Sequence, residues 1–306
     1  MSGLSWIPGI IYGRIKRIPV GLNVDDLTLE DLHGLKMLRE KSLTSRIAEL
    51  IYRVFYRMGD VVTPISQGYV DTIHEKYGVE KKRIWVVPGG VDIKIFKPRK
   101  SGSPNGQFKA IYSGSFSVAY DFEQILRAAK VLESKRCPVE FMIQGKGELS
   151  AQIGSEIERL KLSNVKLVNV LLSRDEVAEF LSQADVLTLP LANFGKPYRG
   201  MSSKLYEYQA VGKPIICCAN GSPADYVRGT CSGLVVHPGD WRSLADAIVY
   251  LRENPEKAEE MGRRGRDFVE THLSIEAVGL QFKNILEECG HSSSLKAPAL
   301  LRMITI

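Results

Sequence analysis

From Lys109 to Val236 the chain alternates short apolar runs with longer amphipathic segments. Lys109–Tyr112, Val139–Gln144, Val165–Val170, Asp185–Pro190, Ile215–Ala219 and Gly233–Val236 are brief, apolar, and mostly bounded by Gly, Pro or Ser. Such runs predict buried strands. Between them, Phe122–Ser134 places Ile125, Leu126, Ala129 and Leu132 on one helical face, and Arg174–Gln183 and a segment ending at Leu160 are further helices. Trp241–Glu253, Pro255–Thr271 and Ser274–Cys289 continue the helical pattern. Strand and helix repeated at this interval imply an α/β fold with a doubly wound parallel sheet.

The first hundred residues are less regular. Trp6–Val20 mixes Trp, Tyr and Ile with three cations and is expected to form a strand with a basic flank. Leu27–Glu40 has helical spacing through Leu29, Leu32, Leu35 and Leu38. Thr44 is the expected cap of a helix in which Ile47, Leu50, Ile51, Val54 and Phe55 form one apolar stripe. A short strand over Asp60–Pro64, a helix from Ser66 to Tyr77 and a strand over Arg83–Val87 follow. The polar Lys97–Gln107 segment puts a domain boundary near residue 98. The expected division is a partial domain over 1–98, a second over 99–285, and a tail over 286–306. Three helices carry more apolar surface than so small a sheet covers. The stripe is therefore expected to lie partly open or to be covered by a second copy or another chain.

Composition narrows the class. The 306 residues are 44% hydrophobic and 25% charged, as in soluble globular proteins. No run approaches the roughly 18 apolar residues of a membrane helix. Met1–Ile11 lacks the features of a signal peptide, and the five cysteines lack metal spacing. A cytoplasmic protein with reduced core cysteines is the expectation. Residues 1–100 hold 17 Lys and Arg against 11 Asp and Glu, so the whole net charge of +6 belongs to them. That surplus favours an anionic partner there, such as a membrane surface, with a merely solvated face as the equal alternative. No nucleic-acid partner is expected, since no basic stripe is interleaved with aromatics. The five histidines are scattered and no G-x-S-x-G elbow is present. No metal site is expected.

The candidate chemistry centres on Leu187–Ala219. A strand stopped by Pro190 leads into a loop rich in Gly, Pro and Ser, then a helix over Lys204–Val211 closed by Gly212 and followed by Pro214. In a parallel sheet that loop sits at the carboxyl edge, where open sheets bind ligands. Ser202 and Ser203 at the helix start, the amides through Leu205 and the charge of Lys204 predict a phosphate-bearing ligand. Glu207 is either a carboxylate favoured by the helix dipole or the acceptor for a ribose diol. Gly114 and Ser115 follow the first strand of this domain, and Gly145, Lys146 and Gly147 follow the next. Small residues admit a ligand to the backbone, and Lys146 supplies a second cation.

Ser203-Lys-Leu-Tyr-Glu-Tyr-Gln-Ala-Val-Gly-Lys-Pro214 resembles the donor-site helix of the family 4 retaining glycosyltransferases, usually E-A-M-A-x-G-x-P-V. Val86-Val-Pro-Gly-Gly-Val-Asp-x-x-x-Phe96 is similar to their interdomain turn. Gly221-Ser-Pro-Ala-Asp225 and Gly233-Leu-Val-Val-x-Pro238-Gly239-Asp240 are similar to their G-x-P-E and G-L-L-V-x-P-G-D. The resemblance runs from about Val61 to Glu288 and implies a GT-B fold with the donor-binding domain second. It implies that Glu207 holds the nucleotide ribose and that Ser203, Lys204 and Leu205 hold the diphosphate.

Three departures accompany it. Arg199 stands where the E-x7-E motif has its first Glu, a Glu that the P-S-K-x-x-E-Y-M-A branch also lacks, and joins Lys204 and Lys146 as a candidate phosphate cation. Ser115–Asp121 replace the usual Arg and Lys of the first donor-domain loop. Only about 90 residues precede the interdomain turn, against roughly 170–200 in the family, so a shortened acceptor-side domain is expected. The resulting expectation is metal-independent transfer, with retention, from a UDP- or GDP-linked sugar to a polysaccharide or lipid-linked acceptor. No catalytic residue is identified and no cofactor beyond the donor substrate is expected. The alternative is a nucleotide-sugar-binding subunit that needs a partner chain.

Overall fold

The computed structural model describes residues 6–34, 36–99 and 107–291. The chain forms two compact units. The first takes residues up to 90, then 194–201, then those from 276 onward; the second takes 91–193 and 202–275. A single cut near residue 98 does not separate them, because the chain returns to the first unit twice. Residues 100–106 of the expected linker and 292–306 of the expected tail lie outside the described residues.

The second unit is a six-stranded parallel sheet in the order β5-β4-β3-β6-β7-β8. Its strands are β3 (Phe108–Ser113), β4 (Val139–Gln144), β5 (Val165–Val168), β6 (Val186–Pro190), β7 (Ile215–Cys218) and β8 (Gly233–Val236). The helices are α4 (Phe122–Ser134), α5 (Ser150–Leu160), α6 (Arg174–Ser182), α7 (Ser203–Ala210), α8 (Ser222–Gly229), α9 (Trp241–Glu253) and α10 (Pro255–His272). Several ends carry their own stop signals. Asp121 caps α4 through the Gln124 amide, Ser173 and Glu176 form a capping box on α6, and Gly212 follows α7 at φ 70°. The chain runs from β3 outward to β4 and β5, then returns to lay β6 on the other side of β3. The strand order therefore reverses between β3 and β6, and a crevice opens at their carboxyl ends. Ile125, Leu126, Ala129 and Leu132 of α4 join Ile143, Val186, Ile216 and Leu244 in one buried cluster.

The first unit holds a small parallel sheet. β1 (Gly21–Val24) pairs with β2 (Val61–Pro64), Leu22 facing Val62 in register. Trp85 and Val87 extend it by donating their amides to the Val62 and Pro64 carbonyls, each at 2.9 Å. The expected strand over Trp6–Val20 is instead helix α1 (Ile7–Lys16), with Pro8 in its first turn, where a missing amide costs nothing. Ile10 and Gly13 face inward, and Gly13 lies so close to Val20 that a Cβ would overlap it. Helix α2 (Thr28–Gly34) is shorter than the expected Leu27–Glu40, and Leu35 lies outside the described residues. Ser42 rather than Thr44 caps α3 (Leu43–Met58), its hydroxyl accepting the Ser45 amide at 3.2 Å. The expected Ser66–Tyr77 helix is two short turns, Gln67–Tyr69 and Thr72–Lys76. α11 (Ile275–His291) closes the described chain. The unit's core is Ile10, Leu22, Val24, Tyr56, Val62, Tyr69, Ile73 and Tyr77.

Cys217 and Cys218 are fully buried on β7, and burial pushes the Cys217 thiol up to about 12. Cys231 is exposed and Cys137 half-buried, so neither is the core residue the sequence suggested; the Cys289 side chain lies outside the described residues. Among the described residues no helix is long and apolar enough to cross a membrane.

Candidate functional site

A cavity of about 330 Å³ lies in the second unit at the carboxyl ends of β3, β4 and β5 and the start of α7. Its floor is made of glycine backbone. Gly114 and Gly145 have φ near 150°, a conformation that strains other residues. A Cβ at Gly145 would overlap the Gly114 carbonyl, and one at Gly147 the Phe116 backbone. The loops are tied by the Gly114 amide on the Gln144 carbonyl at 3.0 Å and the Phe116 amide on the Lys146 carbonyl at 3.2 Å. These glycines therefore bring the two loops together, which sequence reasoning had read as room for a ligand.

Lys204 crosses this floor. Its methylenes fill the space beside Gly114, and its Nζ donates to the Tyr120 hydroxyl at 3.0 Å and lies 4.8 Å from that ring's centroid. Arg174 opens α6 on another wall, its guanidinium 5.7 Å from the Phe96 ring centroid. Lys146 and the hydroxyls of Ser113, Ser115 and Ser203 complete the polar lining, with Leu171, Leu172 and Val177 as the apolar wall. Ser113 and Gln144 are locked: the Ser113 hydroxyl donates to Gln144 Oε1 at 2.5 Å, and Gln144 Nε2 donates to the Val170 carbonyl at 2.7 Å.

The helix start is partly committed. The Leu205 amide donates to the Ser202 carbonyl at 3.0 Å and the Leu205 side chain is fully buried, so α7 presents the amides of Ser203 and Lys204. Ser202 is the N-cap but its hydroxyl makes no capping bond and does not line the cavity. Glu207 lies one turn further, half-buried, with no side-chain hydrogen bond among the described residues. Burial raises its carboxyl pKa above the ordinary value, while the charges of Lys204 and Arg174 pull the other way. A carboxylate partly desolvated without a hydrogen-bond donor is a costly group unless a ligand supplies one.

Of the sequence candidates, Gly114, Ser115, Gly145, Lys146, Ser203, Lys204 and Glu207 meet at this cavity. Gly147, Ser202 and Leu205 do not line it. Arg199 belongs to the first unit and donates there to the Thr72 hydroxyl. Sequence reasoning missed Arg174, Gln144, Leu171 and Leu172; Phe96 was part of a motif but had been given no role. Nothing in the spacing marks Arg174, which reaches the cavity only because β5 lies two strands from β3.

The first unit has a larger cavity of its own, about 680 Å³. Phe194 and Tyr198 stack there with centroids 5.1 Å apart. Glu30 takes Lys76 Nζ at 2.7 Å and the Tyr77 hydroxyl at 2.8 Å, and Lys196 pairs with Glu40 at 2.7 Å. Burial, then the neighbouring Asp26 and Glu30, push the Asp31 carboxyl up to about 7. Among the described residues no three His, Cys, Asp or Glu side chains gather as a metal site.

Residues 93–268 match the family model described as Glycosyl transferases group 1. Over 281 residues the chain is 23% identical to WcaL of Escherichia coli K12, a glycosyltransferase assigned to colanic acid biosynthesis, covering 91% of this chain and 65% of that one. It is 26% identical over 243 residues to the GDP-mannose-dependent monoacylated alpha-(1-6)-phosphatidylinositol monomannoside mannosyltransferase of Corynebacterium glutamicum, covering 74% and 62%. The structure of HepE from Anabaena in complex with UDP-glucose superposes with a TM-score of 0.73 at 18% identity, over 94% of this chain and 77% of that one. At that identity the likeness is one of fold. The chain spans between about half and two-thirds of the length of the curated relatives it matches.

Proposed function

Since the chain belongs to the glycosyl transferases group 1 family and has the GT-B type of fold, we propose that it transfers a sugar from a nucleotide-diphosphate donor, with retention, to a saccharide or lipid-linked acceptor. The observation that carries this reading is the cavity at the strand-order reversal, where cations, a helix start and a carboxylate with no hydrogen-bond donor among the described residues face one space. In this reading the diphosphate lies against Lys204, Arg174 and the α7 amides. Glu207 accepts the ribose hydroxyls, which supply the donors its carboxylate lacks. As the sugar–phosphate bond breaks, negative charge grows on the leaving diphosphate, and the same fixed cations and amides stabilise it.

The relatives support the substrate classes. One is named for colanic acid biosynthesis, another for GDP-mannose and a phosphatidylinositol mannoside, and a structural neighbour holds UDP-glucose. A UDP- or GDP-linked sugar is the donor class these names favour. The stacked Phe194–Tyr198 pair beside carboxylates in the first unit's cavity suits the apolar face and hydroxyls of a sugar acceptor.

The test is incubation of the purified chain with labelled UDP- and GDP-sugars, with calorimetry on the matching diphosphates. Hydrolysis or transfer by the lone chain supports the enzyme. Binding without turnover supports the alternative, a donor-binding subunit completed by a partner chain. No binding of either diphosphate overturns both.

A further inference from the structure

Helix α3 turns an apolar face outward. Ile47, Leu50, Ile51 and Val54, spaced as one stripe, are 51%, 62%, 43% and 50% exposed, while Ser45 and Tyr56 on the opposite side are buried. Leu43, one turn before the stripe, is also exposed. At about 100° per residue, Arg46, Arg53 and Arg57 fall together along one flank of that stripe. α1 packs beside the end of this helix: the Trp6 ring lies 5.2 Å from that of Tyr56, and Arg14 donates to the Met58 carbonyl at 2.9 Å. α1 itself exposes Ile11, Tyr12 and Ile15, carries Arg14 and Lys16 in its last turn, and contains no acidic residue. Arg17 and Ile18 continue the same exposed, basic and apolar character.

Large apolar side chains exposed in such numbers on one pair of helices mark an interaction surface. Its charge decides what kind. On α3 the one carboxylate, Glu49, is taken up by Arg53 at 3.1 Å and by Lys76 at 3.9 Å. What faces outward is apolar residues edged by cations, within the hundred residues that hold all of the chain's net +6. We propose that the α1–α3 face of the first unit docks on an anionic lipid bilayer, the aliphatic side chains entering the headgroup boundary and the arginines pairing with lipid phosphates. Neither helix crosses the bilayer. The two attractions are complementary, since aliphatic insertion alone is not selective for charge and cations alone hold a surface only at low salt. The proposal rests on the first unit's surface and stands or falls apart from the sugar-transfer reading.

The experiment is flotation of the purified chain with phosphatidylcholine vesicles and with vesicles containing about 30 mol% phosphatidylglycerol, at about 0.05 M and about 0.5 M salt. The expected result is binding to the anionic vesicles that falls steeply with salt and is weak on the neutral ones. The Arg46→Gln/Arg57→Gln variant loses on the order of 25-fold in partition, at about fivefold per cation. The Leu50→Ser/Val54→Ser variant keeps the charges and loses at least about tenfold. Each variant is read beside its circular-dichroism melt, and if either fails to fold the composition and salt comparison on the native chain decides. Equal binding to both vesicle types, or none to anionic vesicles at low salt, overturns the proposal. So does a doubled mass in light scattering that Leu50→Ser/Val54→Ser restores to one chain, since the face would then belong to a second copy.

Discussion

Replacing Glu207 by Gln is expected to stabilise the unliganded chain while weakening its hold on a nucleotide. The carboxylate is half-buried and finds no hydrogen-bond donor among the described residues, and burial raises its pKa against the pull of Lys204 and Arg174. A carboxyl whose folded pKa lies above its unfolded one favours folding at low pH, and that contribution is lost as pH rises through the interval between the two values. The native chain should therefore lose stability across that interval, and the Gln variant should show a flatter pH profile. At pH 8 the variant should be the more stable by about 1 kcal/mol, the order of cost for a desolvated polar group left unpaired. Binding should move the opposite way. Two charge-assisted bonds to a ribose are worth on the order of 2–4 kcal/mol together, a loss of roughly 30- to 1,000-fold in affinity. Thermal melts across pH give the first quantity, and calorimetry with nucleoside and nucleoside diphosphate gives the second. Unchanged nucleoside affinity would refute the ribose role and leave Glu207 as a carboxylate near a helix start. A destabilised variant would refute the claim that its burial is uncompensated.

Lys204→Ala should weaken nucleoside diphosphate binding well beyond any effect on the nucleoside, by about 1.5–3 kcal/mol for a hydrogen bond to a charged group; equal losses for both ligands in calorimetry would count against a phosphate contact. Gly145→Ala should cost about 2–4 kcal/mol in denaturant unfolding, because its Cβ would overlap the Gly114 carbonyl at a φ that strains alanine. A change under about 0.5 kcal/mol would mean the two loops part easily. Asp31→Asn should stabilise the chain by about 1–2 kcal/mol at pH 8 after allowance for solvent screening, with the gain vanishing at pH 4. The sign follows from a folded pKa of about 7, which makes the native chain lose stability as pH climbs from the ordinary carboxylate range toward that value. A gain independent of pH would show that Asp31 does not titrate in that window.

The second unit was legible because its inner strands β6 and β7 are buried on both faces and β4 nearly so, and they read as continuous apolar runs, with Gly212 marking a helix end locally. The first unit was less so. Trp6–Val20 has strand-like composition, and the close fit of Gly13 of its helix against Val20 is a contact invisible in the pattern. Lys204, Ser203 and Glu207 were legible together because one short helix carries all three. Arg174 was not, since sheet order alone decides which of the chain's many cations reaches the crevice. The second role of the glycines, joining two loops, was hidden for a related reason: a sequence shows that space exists beside Gly114 and Gly145 but not what fills it.

That filling has a consequence for how such a cavity diverges. Lys204 methylenes and peptide groups occupy every position where Gly114, Gly145 or Gly147 would grow a side chain. The floor is therefore costly to mutate, most of all at Gly145 and Gly147, where a side chain would meet backbone. Ligand preference has to drift through the walls instead, at Leu171, Leu172 and Val177, whose side chains line the space without being fully buried. A selection experiment that randomises those positions would retain folded chains and spread their preferences, whereas the same diversity placed on the glycines would return the parent.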